Sequence, residues 1–195
     1  MTANTKRRKQ TVLAVAIIIL VVAIDQIIKL LVKTNMSLHE SIRITDWFYL
    51  VFIENNGAAF GMEVIGKLFL TIFRIVAVTV ASYYLAKLIK KGSFGMGYIA
   101  TISLVIAGAA GNIFDCVFYG KIFGYADLFM GKVVDMFYFP LIETTWPSWM
   151  PMVGGEYFVF FSPVFNFADS AITCGVIILL IWFRKELSSL SSSVR

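Results

Sequence analysis

The sequence predicts an all-α membrane protein with four transmembrane helices, both termini cytoplasmic, a small β-rich outer segment between the first two helices and an extended outer loop between the last two. Hydrophobic residues make up 59% of the chain and charged residues only 15%, whereas about a quarter of an ordinary globular domain is charged. Four apolar runs approach the length of about 20 residues that crosses a bilayer. We therefore expect residues 1–195 to form a single membrane-embedded domain.

The first predicted helix covers about residues 12–32 and follows the basic run Lys6–Lys9. Its last two turns contain Asp25 and Lys29. A basic prefix before an apolar run is also typical of a signal peptide, but no small-x-small cleavage site follows and more apolar runs lie downstream, which favours an uncleaved span. The other three predicted helices cover about residues 67–89, 97–118 and 163–183.

The distribution of basic residues predicts the orientation. With a cytoplasmic N-terminus, the cytoplasmic segments contain one acidic residue, Glu186. Excess Lys and Arg in short cytoplasmic segments is the pattern expected of a multi-pass protein. We therefore predict that both termini face the cytoplasm. The basic residues of these segments are Lys6, Arg7, Arg8, Lys9, Lys87, Lys90, Lys91, Arg184, Lys185 and Arg195.

The two connections predicted outside the membrane differ in character. Residues 41–60 show partial alternation of apolar side chains and contain the turn signal Asn55-Asn56-Gly57, which predicts short strands. Residues 119–162 are too apolar for a free linker and too interrupted by proline and glycine for a span. We expect the tryptophans of this second connection to lie at the level of the lipid headgroups.

Polar side chains from separate parts of the chain are predicted to meet in the outer third of the membrane. A charge near the bilayer centre costs about 2.5 to 3.5 kcal/mol on insertion scales, so embedded carboxylates are candidates for function. For Asp25 a simple interfacial role, or an ion pair with Lys29 four residues on, remains an alternative. The residues at this level are Asp25, Lys29, Asn112, Asp115, Asp135, Asn166 and Asp169.

Several kinds of site are excluded by composition. The basic residues are not interleaved with aromatics on one face, so no nucleic-acid partner is expected. With His39 as the only histidine and no cysteine cluster, we expect no metal and no cofactor. Ser162 and Ser170 lack a neighbouring base that could activate a nucleophile.

Paired carboxylates are the chemistry that remains. Two carboxylates held close together share one proton, so one can activate water while the other donates to the substrate carbonyl. The alternative is a proton-coupled transporter or channel subunit, in which embedded acids form a relay. A relay should spread acids through the depth of the membrane, whereas here they stop at the outer third.

Five motifs in order resemble the lipoprotein signal peptidases, also called signal peptidase II, which are bacterial intramembrane aspartyl proteases. The resemblance covers most of the chain. The motifs are Asp25-Gln26 with Lys29, Asn55-x-Gly57-Ala58-Ala59-Phe60-Gly61, Gly108-Ala109-x-Gly111-Asn112-x-x-Asp115, Val133-Val134-Asp135, and Phe165-Asn166-x-Ala168-Asp169-Ser170-Ala171-Ile172.

The resemblance implies that Asp135 and Asp169 are the catalytic pair. It implies an aspartic endopeptidase that cleaves diacylglyceryl-modified prolipoproteins just before the lipidated cysteine, and that lies in the bacterial cytoplasmic (inner) membrane with its site toward the periplasmic or outer face. The expected partners are lipid-modified signal peptides and membrane lipids, and we expect a monomer. Residues implied to bind substrate or support the site are Asn55, Gly57, Asn112, Asp115, Asn166, Ala168, Asp25 and Lys29.

Two features depart from the family pattern. Asp115 is followed by Cys116 where the family usually has arginine. Arg74 or Lys121 could supply the cation, although the Arg74 stem could equally extend to the outer headgroups. The intervals that separate Asp115, Asp135 and Asp169 are also longer than usual. The resemblance therefore does not predict the conformation of the loops between them.

Overall fold

The computed structural model describes residues 2–57 and 64–192. A π-helical turn, Asp115–Tyr119, joins α3 to α4. The helices are α1 (Ala3–Asn35), α2 (Val64–Lys91), α3 (Met96–Phe114), α4 (Gly120–Ile122), α5 (Phe167–Trp182) and α6 (Arg184–Ser192). The strands are β1 (Ser41–Thr45), β2 (Phe48–Asn55), β3 (Val133–Tyr138), β4 (Ile142–Thr145) and β5 (Tyr157–Phe160).

Within the described residues, three helical stretches are long and apolar enough to cross a membrane, namely Ala3–Asn35, Gly66–Lys91 and Met96–Ile122. Helix α5 is apolar but shorter, with 16 residues. The protein thus has a membrane-type fold of three to four apolar helices with a small antiparallel sheet.

The chain divides into two compact units. The first combines Met1–Ile28, Asn55–Val133 and Phe167–Arg195, and the second combines Lys29–Glu54 and Val134–Asn166. The boundaries fall inside α1, at the end of β2, at the start of β3 and immediately before α5.

Helix α3 is the central helix of the first unit. Half of its most apolar window is buried, against 11% of the corresponding windows in α1 and α2. The outward faces of α1 and α2 expose large apolar side chains such as Ile19 and Phe69, which is how lipid-facing helices differ from the helices of a soluble bundle. The buried core between α1, α2 and α3 consists of Ala14, Leu85, Leu88, Tyr98, Ile99, Ile102 and Ile106.

Small residues allow α3 and α5 to approach closely. A Cβ atom added at Gly108 would run into the Ala168 carbonyl oxygen, and one at Gly175 would lie 3.4 Å from the Thr101 carbonyl oxygen. Ala107 of α3 and Ala171 of α5 are buried beside Val21 of α1. Small side chains at such contacts bring helix backbones together where the surrounding lipid supplies no hydrophobic drive.

The second unit contains a three-stranded sheet in the order β1-β2-β3. Strands β1 and β2 are antiparallel, with a register irregularity between Arg43 and Thr45. An ion pair between the half-buried Lys33 and Glu54 ties the end of α1 to β2. An aromatic cluster packs on the sheet through ring contacts of 4.8 to 6.2 Å, and its members are Trp47, Phe48, Phe137, Phe139 and Phe165.

Strands β4 and β5 form a separate antiparallel hairpin, in which Ile142 pairs with Phe160 and Thr145 with Tyr157. The Tyr157 hydroxyl donates to Glu143 at 2.7 Å. This hydrogen bond to a carboxylate raises the pKa of Tyr157 to about 12. The phenol is protonated at physiological pH, and its hydrogen bond adds a side-chain link to the backbone pairing of β4 and β5.

The predicted strands between the first two helices are confirmed. The connection over residues 119–162, expected to be an extended outer loop, contains β3, β4 and β5. The signal was hidden in β3 because its first four residues are all buried, so no alternation of polar and apolar side chains is visible. The third strand of the sheet thus comes from this later connection.

The helix boundaries also differ from the predictions. Helix α1 begins at Ala3 instead of residue 12, because its basic N-terminal turns are helical although they are not apolar. Helix α5 begins at Phe167 instead of residue 163, because the backbone N–H and C=O of Phe165 are both bonded to Phe137. The third predicted helix continues as a π-helical turn from Asp115.

Candidate active site

Asp169 lies in the first turn of α5, in the first unit. Its Oδ1 accepts a hydrogen bond of 2.8 Å from the Asn112 side-chain amide in the last turns of α3. Both side chains are half-buried. The contact between α3 and α5 therefore fixes the orientation of the Asp169 carboxylate through a neutral donor.

Asp25 caps the N-terminus of α5 although it belongs to α1. It is fully buried, and its Oδ1 accepts the backbone N–H of Ala168 at 2.9 Å. The first N–H groups of a helix have no partner within the helix, and a carboxylate there also interacts favourably with the helix dipole. The buried Asp25 side chain therefore supplies a partner for a backbone group at the start of α5.

Gly111 makes room for the Asp25 carboxylate. A Cβ atom at position 111 would lie 2.6 Å from Oδ2 of Asp25 and 3.4 Å from the Ala168 Cβ. Ala168 is itself completely buried, so the pocket has no space for a larger side chain. Asp25, Gly111 and Ala168 therefore form one close-packed contact between α1, α3 and α5.

Gln26 joins Asp25 to the end of α3. Its side-chain amide donates to Asp115 at 2.8 Å, to the Gly111 carbonyl at 3.2 Å and to Asp25 at 3.1 Å. Its carbonyl oxygen accepts the Tyr119 hydroxyl at 2.9 Å. Asp115 is fully buried and is thus held within a hydrogen-bonded network.

Asn55 and Gly57 form a turn at the end of β2. The Asn55 Oδ1 accepts the Gly57 N–H at 2.7 Å, which is an Asx-turn, and Gly57 has a positive φ of 65° that glycine adopts most readily. The rest of this predicted motif, Ala58 to Gly61, lies outside the described residues.

The Arg74 guanidinium lies between this turn and Cys116. Its Nη1 donates to the Cys116 sulfur at 3.4 Å, and a Cβ atom at Gly57 would lie 3.1 Å from its Nη2. Of the two cations considered for the position next to Asp115, Arg74 therefore contacts Cys116. The Lys121 side chain is exposed on the short helix α4.

Asp135 lies in β3 of the second unit and is 3% exposed. Its Oδ1 accepts a hydrogen bond of 2.7 Å from the side-chain amide of the buried Asn166. Backbone bonds between Phe137 and Phe165 hold the segment before α5 against β3, and this pairing brings Asn166 to Asp135. Lys29, which belongs to the same unit, is completely buried.

Both predicted catalytic aspartates thus accept an asparagine amide at about the same distance, each within its own unit. The sequence analysis identified both asparagines as site residues. It did not identify Gln26 as the residue that links Asp25, Asp115 and Tyr119. Its position directly after Asp25 in the family motif was the available signal. Among the described residues, no group of three or more His, Cys, Asp or Glu side chains is placed to bind a metal ion.

Comparison with known proteins identifies a family for most of the chain. The sequence model of the family described as signal peptidase (SPase) II matches residues 17–185. The lipoprotein signal peptidase of Porphyromonas gingivalis strain ATCC 33277 is 47% identical over 97% of this chain and 91% of that protein. The corresponding protein of Amoebophilus asiaticus strain 5a2 is 38% identical over 88% of this chain and 77% of that protein.

A solved structure agrees with these relatives. A bacterial membrane enzyme determined by the in meso method at 2.3 Å resolution superimposes with a TM-score of 0.63 and 28% identity, over 90% of both chains. The sequence and fold similarities extend over nearly the whole chain. The chain belongs to the signal peptidase II family.

Proposed function

We propose that this protein is an aspartic endopeptidase that removes the signal peptide from diacylglyceryl-modified prolipoproteins by cleaving just before the lipidated cysteine. The family match over residues 17–185 supports this activity. So do the curated relatives, which are lipoprotein signal peptidases at up to 47% identity. The same similarities favour a peptidase over a proton-coupled transporter or channel.

Asp135 and Asp169 form the catalytic pair in this proposal. The observation that carries the assignment is that an asparagine side-chain amide donates to each of these carboxylates, at 2.7 and 2.8 Å. A neutral amide donor orients a carboxylate without adding a positive charge that would hold it permanently ionised. Asp25, by contrast, accepts a backbone N–H of α5 and has a structural role.

The proposed reaction uses the two carboxylates in different protonation states. The ionised carboxylate removes a proton from water, which attacks the carbonyl carbon of the scissile peptide bond. The protonated carboxylate donates to the carbonyl oxygen as the tetrahedral intermediate forms. The carboxyl that took the proton from water then donates it to the leaving amine as the C–N bond breaks. The other carboxylate takes back the hydroxyl proton of the tetrahedral intermediate as the carbonyl re-forms, so the pair again holds one proton.

The substrate fits a membrane-embedded enzyme. A prolipoprotein signal peptide has a basic start and an apolar helix, and its diacylglyceryl group anchors the cleavage site at a membrane surface. We propose that the enzyme crosses the bacterial cytoplasmic membrane four times, with the site toward the outer face. In this proposal it acts as a monomer on lipid-modified precursors.

The test is cleavage of a purified lipidated prolipoprotein, followed by gel shift, with Asp135→Asn and Asp169→Asn. Each substitution keeps the size of the side chain and removes its acid–base function, so we expect each rate to fall by about 10²- to 10⁴-fold. Asp127→Asn is the matched control because Asp127 is exposed on the connection before β3.

Unfolding temperatures of all three variants, measured in the same detergent, separate loss of catalysis from loss of structure. A wild-type rate in the Asp135→Asn or the Asp169→Asn variant would refute the assignment of that residue to the catalytic pair. The same substrate without its diacylglyceryl group should be cleaved poorly by the wild type. Equal cleavage of both substrates would refute the proposed lipid requirement but not the catalytic pair.

A further inference from the structure

A groove lies along the N-terminal part of α1, where it packs beside the start of α3. Its volume is about 540 Å³, which falls within the range of about 300 to 1,000 Å³ that small-molecule sites occupy. The residues that line the groove are Thr5, Arg8, Lys9, Val12, Leu13, Ala16 and Met96.

Polar and apolar side chains are separated along the groove. One end is lined by Thr5, Arg8 and Lys9, and the rest is formed by Val12, Leu13, Ala16 and Met96. At 1.5 Å per residue, the helix rises about 12 Å between Arg8 and Ala16. The groove therefore combines two positive charges at one end with an apolar trough, and its length of about 12 Å is most of the roughly 15 Å hydrocarbon thickness of one leaflet.

The two bases of the groove are available to a ligand. Arg8 and Lys9 are both exposed, and within the part of the chain that the structure describes neither forms an ion pair. Val12 is 61% exposed beside them. Neighbouring bases on one helix repel each other, so an anion bound there would relieve an unfavourable interaction.

The wall of the groove is held in place by hydrogen bonds on the other side of α1. The Lys6 ammonium donates to the Gly92 carbonyl at 2.7 Å, and the Gln10 amide donates to the Phe94 carbonyl at 2.9 Å. These bonds fix α1 on the connection between α2 and α3. They also bring Lys90 and Lys91, at the end of α2, to the same end of the unit.

We propose that this groove binds one anionic diacyl phospholipid, with its phosphate on Arg8 and Lys9 and an acyl chain against Val12, Leu13, Ala16 and Met96. The charged end of the groove matches a phosphate headgroup and the apolar remainder matches an acyl chain. A free anion would use only the charged end. Basic residues next to a membrane span attract anionic lipid in general, but the groove adds a place for the chain. The site does not depend on the peptidase activity.

The test uses the full-length protein purified in a neutral detergent. Phosphatidylglycerol should raise the unfolding temperature and stay bound in native mass spectrometry, because a ligand that binds only the folded state stabilises it. Phosphatidylcholine at the same concentration should do neither. Inorganic phosphate should give no shift, and an equal shift with phosphate alone would overturn the lipid assignment.

Two variants separate the parts of the site. Arg8→Gln with Lys9→Gln removes the charges, and Ala16→Phe fills the apolar trough at an exposed position and keeps the charges. Each should weaken retention of phosphatidylglycerol on the order of tenfold. The control, Arg184→Gln with Lys185→Gln, removes the same charge from exposed positions in α6 and should bind as the wild type.

The Ala16→Phe variant distinguishes a built site from general attraction of a basic surface for anionic lipid. If it retains phosphatidylglycerol as well as the wild type, the groove is not the acyl-chain site. If the α6 control loses binding to the same extent as the Arg8 and Lys9 variant, net charge accounts for the binding and the proposal is wrong.

Discussion

The side-chain amide of Gln26 connects α1 to the end of α3 through Asp115 and accepts the hydroxyl of Tyr119. Low dielectric strengthens these hydrogen bonds, and it also makes an unpartnered polar group costly. The network therefore stabilises the first unit only while all of its members are present. Asp25, which completes it, simultaneously caps α5.

We expect Gln26→Leu to lower the free energy of unfolding by about 2 kcal/mol or more, because several buried groups lose a partner at once. Tyr119→Phe removes one hydroxyl from the same network and should cost about 1 kcal/mol. Denaturant titration in detergent gives both values. A Gln26→Leu variant no less stable than Tyr119→Phe would show that the amide is not the central link.

Arg74 offers a second test at the level of single residues. Its guanidinium contacts the Cys116 sulfur and lies against Gly57, so we expect it to hold the Asn55–Gly57 turn in place. Arg74→Ala should reduce cleavage of the lipidated substrate by at least about tenfold, the scale of a lost hydrogen bond to a charged group. The exposed Lys121 serves as the comparison, and Lys121→Ala should leave the rate unchanged.

A change in kcat rather than in unfolding temperature would distinguish positioning by Arg74 from a purely structural role. Arg74→Lys keeps the charge but not the planar fork, and it should restore activity only in part. Equal and negligible effects of Arg74→Ala and Lys121→Ala would remove Arg74 from the site.

Single residues also show what the sequence could reveal about the site. Asn112 and Asn166 were identified through the family motifs, and each proves to contact a predicted catalytic aspartate. The capping contact of Asp25 was hidden, because its partner Ala168 lies 143 positions later in the chain. Spacing within one helix suggested only Lys29 as a partner, since i,i+4 neighbours are the contacts that a single helix defines.

At the scale of elements, the position of α5 depends on glycines in α3. A Cβ atom at Gly108 would run into two backbone atoms of α5. These are the Ala168 carbonyl oxygen and the Ile172 nitrogen, the nitrogen at 3.1 Å. Backbone atoms of a packed helix cannot yield as a flexible side chain can. The helices must therefore separate if position 108 carries a side chain.

Gly108→Ala should lower the free energy of unfolding by about 1 to 3 kcal/mol, the usual cost of overpacking. Gly95→Ala is the matched control, since a Cβ atom there meets nothing within 4 Å and the residue precedes α3 with a φ of −75°. Unfolding in detergent should show a smaller loss for the control, because Gly95 is the N-cap of α3, where alanine is less favourable than glycine but meets no steric clash. A neutral Gly108→Ala would mean that the close α3–α5 contact does not hold in solution.

The helices were predictable from the sequence because, in a chain this apolar, a run of about 20 apolar residues is most readily explained as a membrane-spanning helix. Their ends were not, since the polar turns of α1 before residue 12 are helical and the backbone of Phe165 pairs with Phe137. Strand β3 escaped prediction because burial on both faces removes alternation. It joins β1 and β2 through contacts distant in sequence, which no local pattern encodes.

At the scale of the whole molecule, α5 decides the number of spans. Its 16 residues extend about 24 Å at 1.5 Å per residue, somewhat less than the hydrocarbon thickness of about 30 Å. A short apolar helix can still cross if the bilayer thins locally or flanking bases extend to the interface, at a modest cost. Arg184 and Lys185 follow the end of α5 after one intervening residue and can serve in this way.

Four spans place both termini on one side of the membrane, and three place them on opposite sides. A parent with Cys116→Ser and Cys174→Ser removes the native thiols, and single cysteines are then added by Thr2→Cys, Ser188→Cys or Glu156→Cys, all at exposed positions. A membrane-impermeant maleimide should label the Glu156→Cys variant in spheroplasts with an intact inner membrane. It should label the other two only after that membrane is permeabilised, because excess basic residues near both ends favour the cytoplasmic side. Labelling of Ser188→Cys in intact spheroplasts, with Thr2→Cys still protected, would establish three spans and place α5 outside the bilayer.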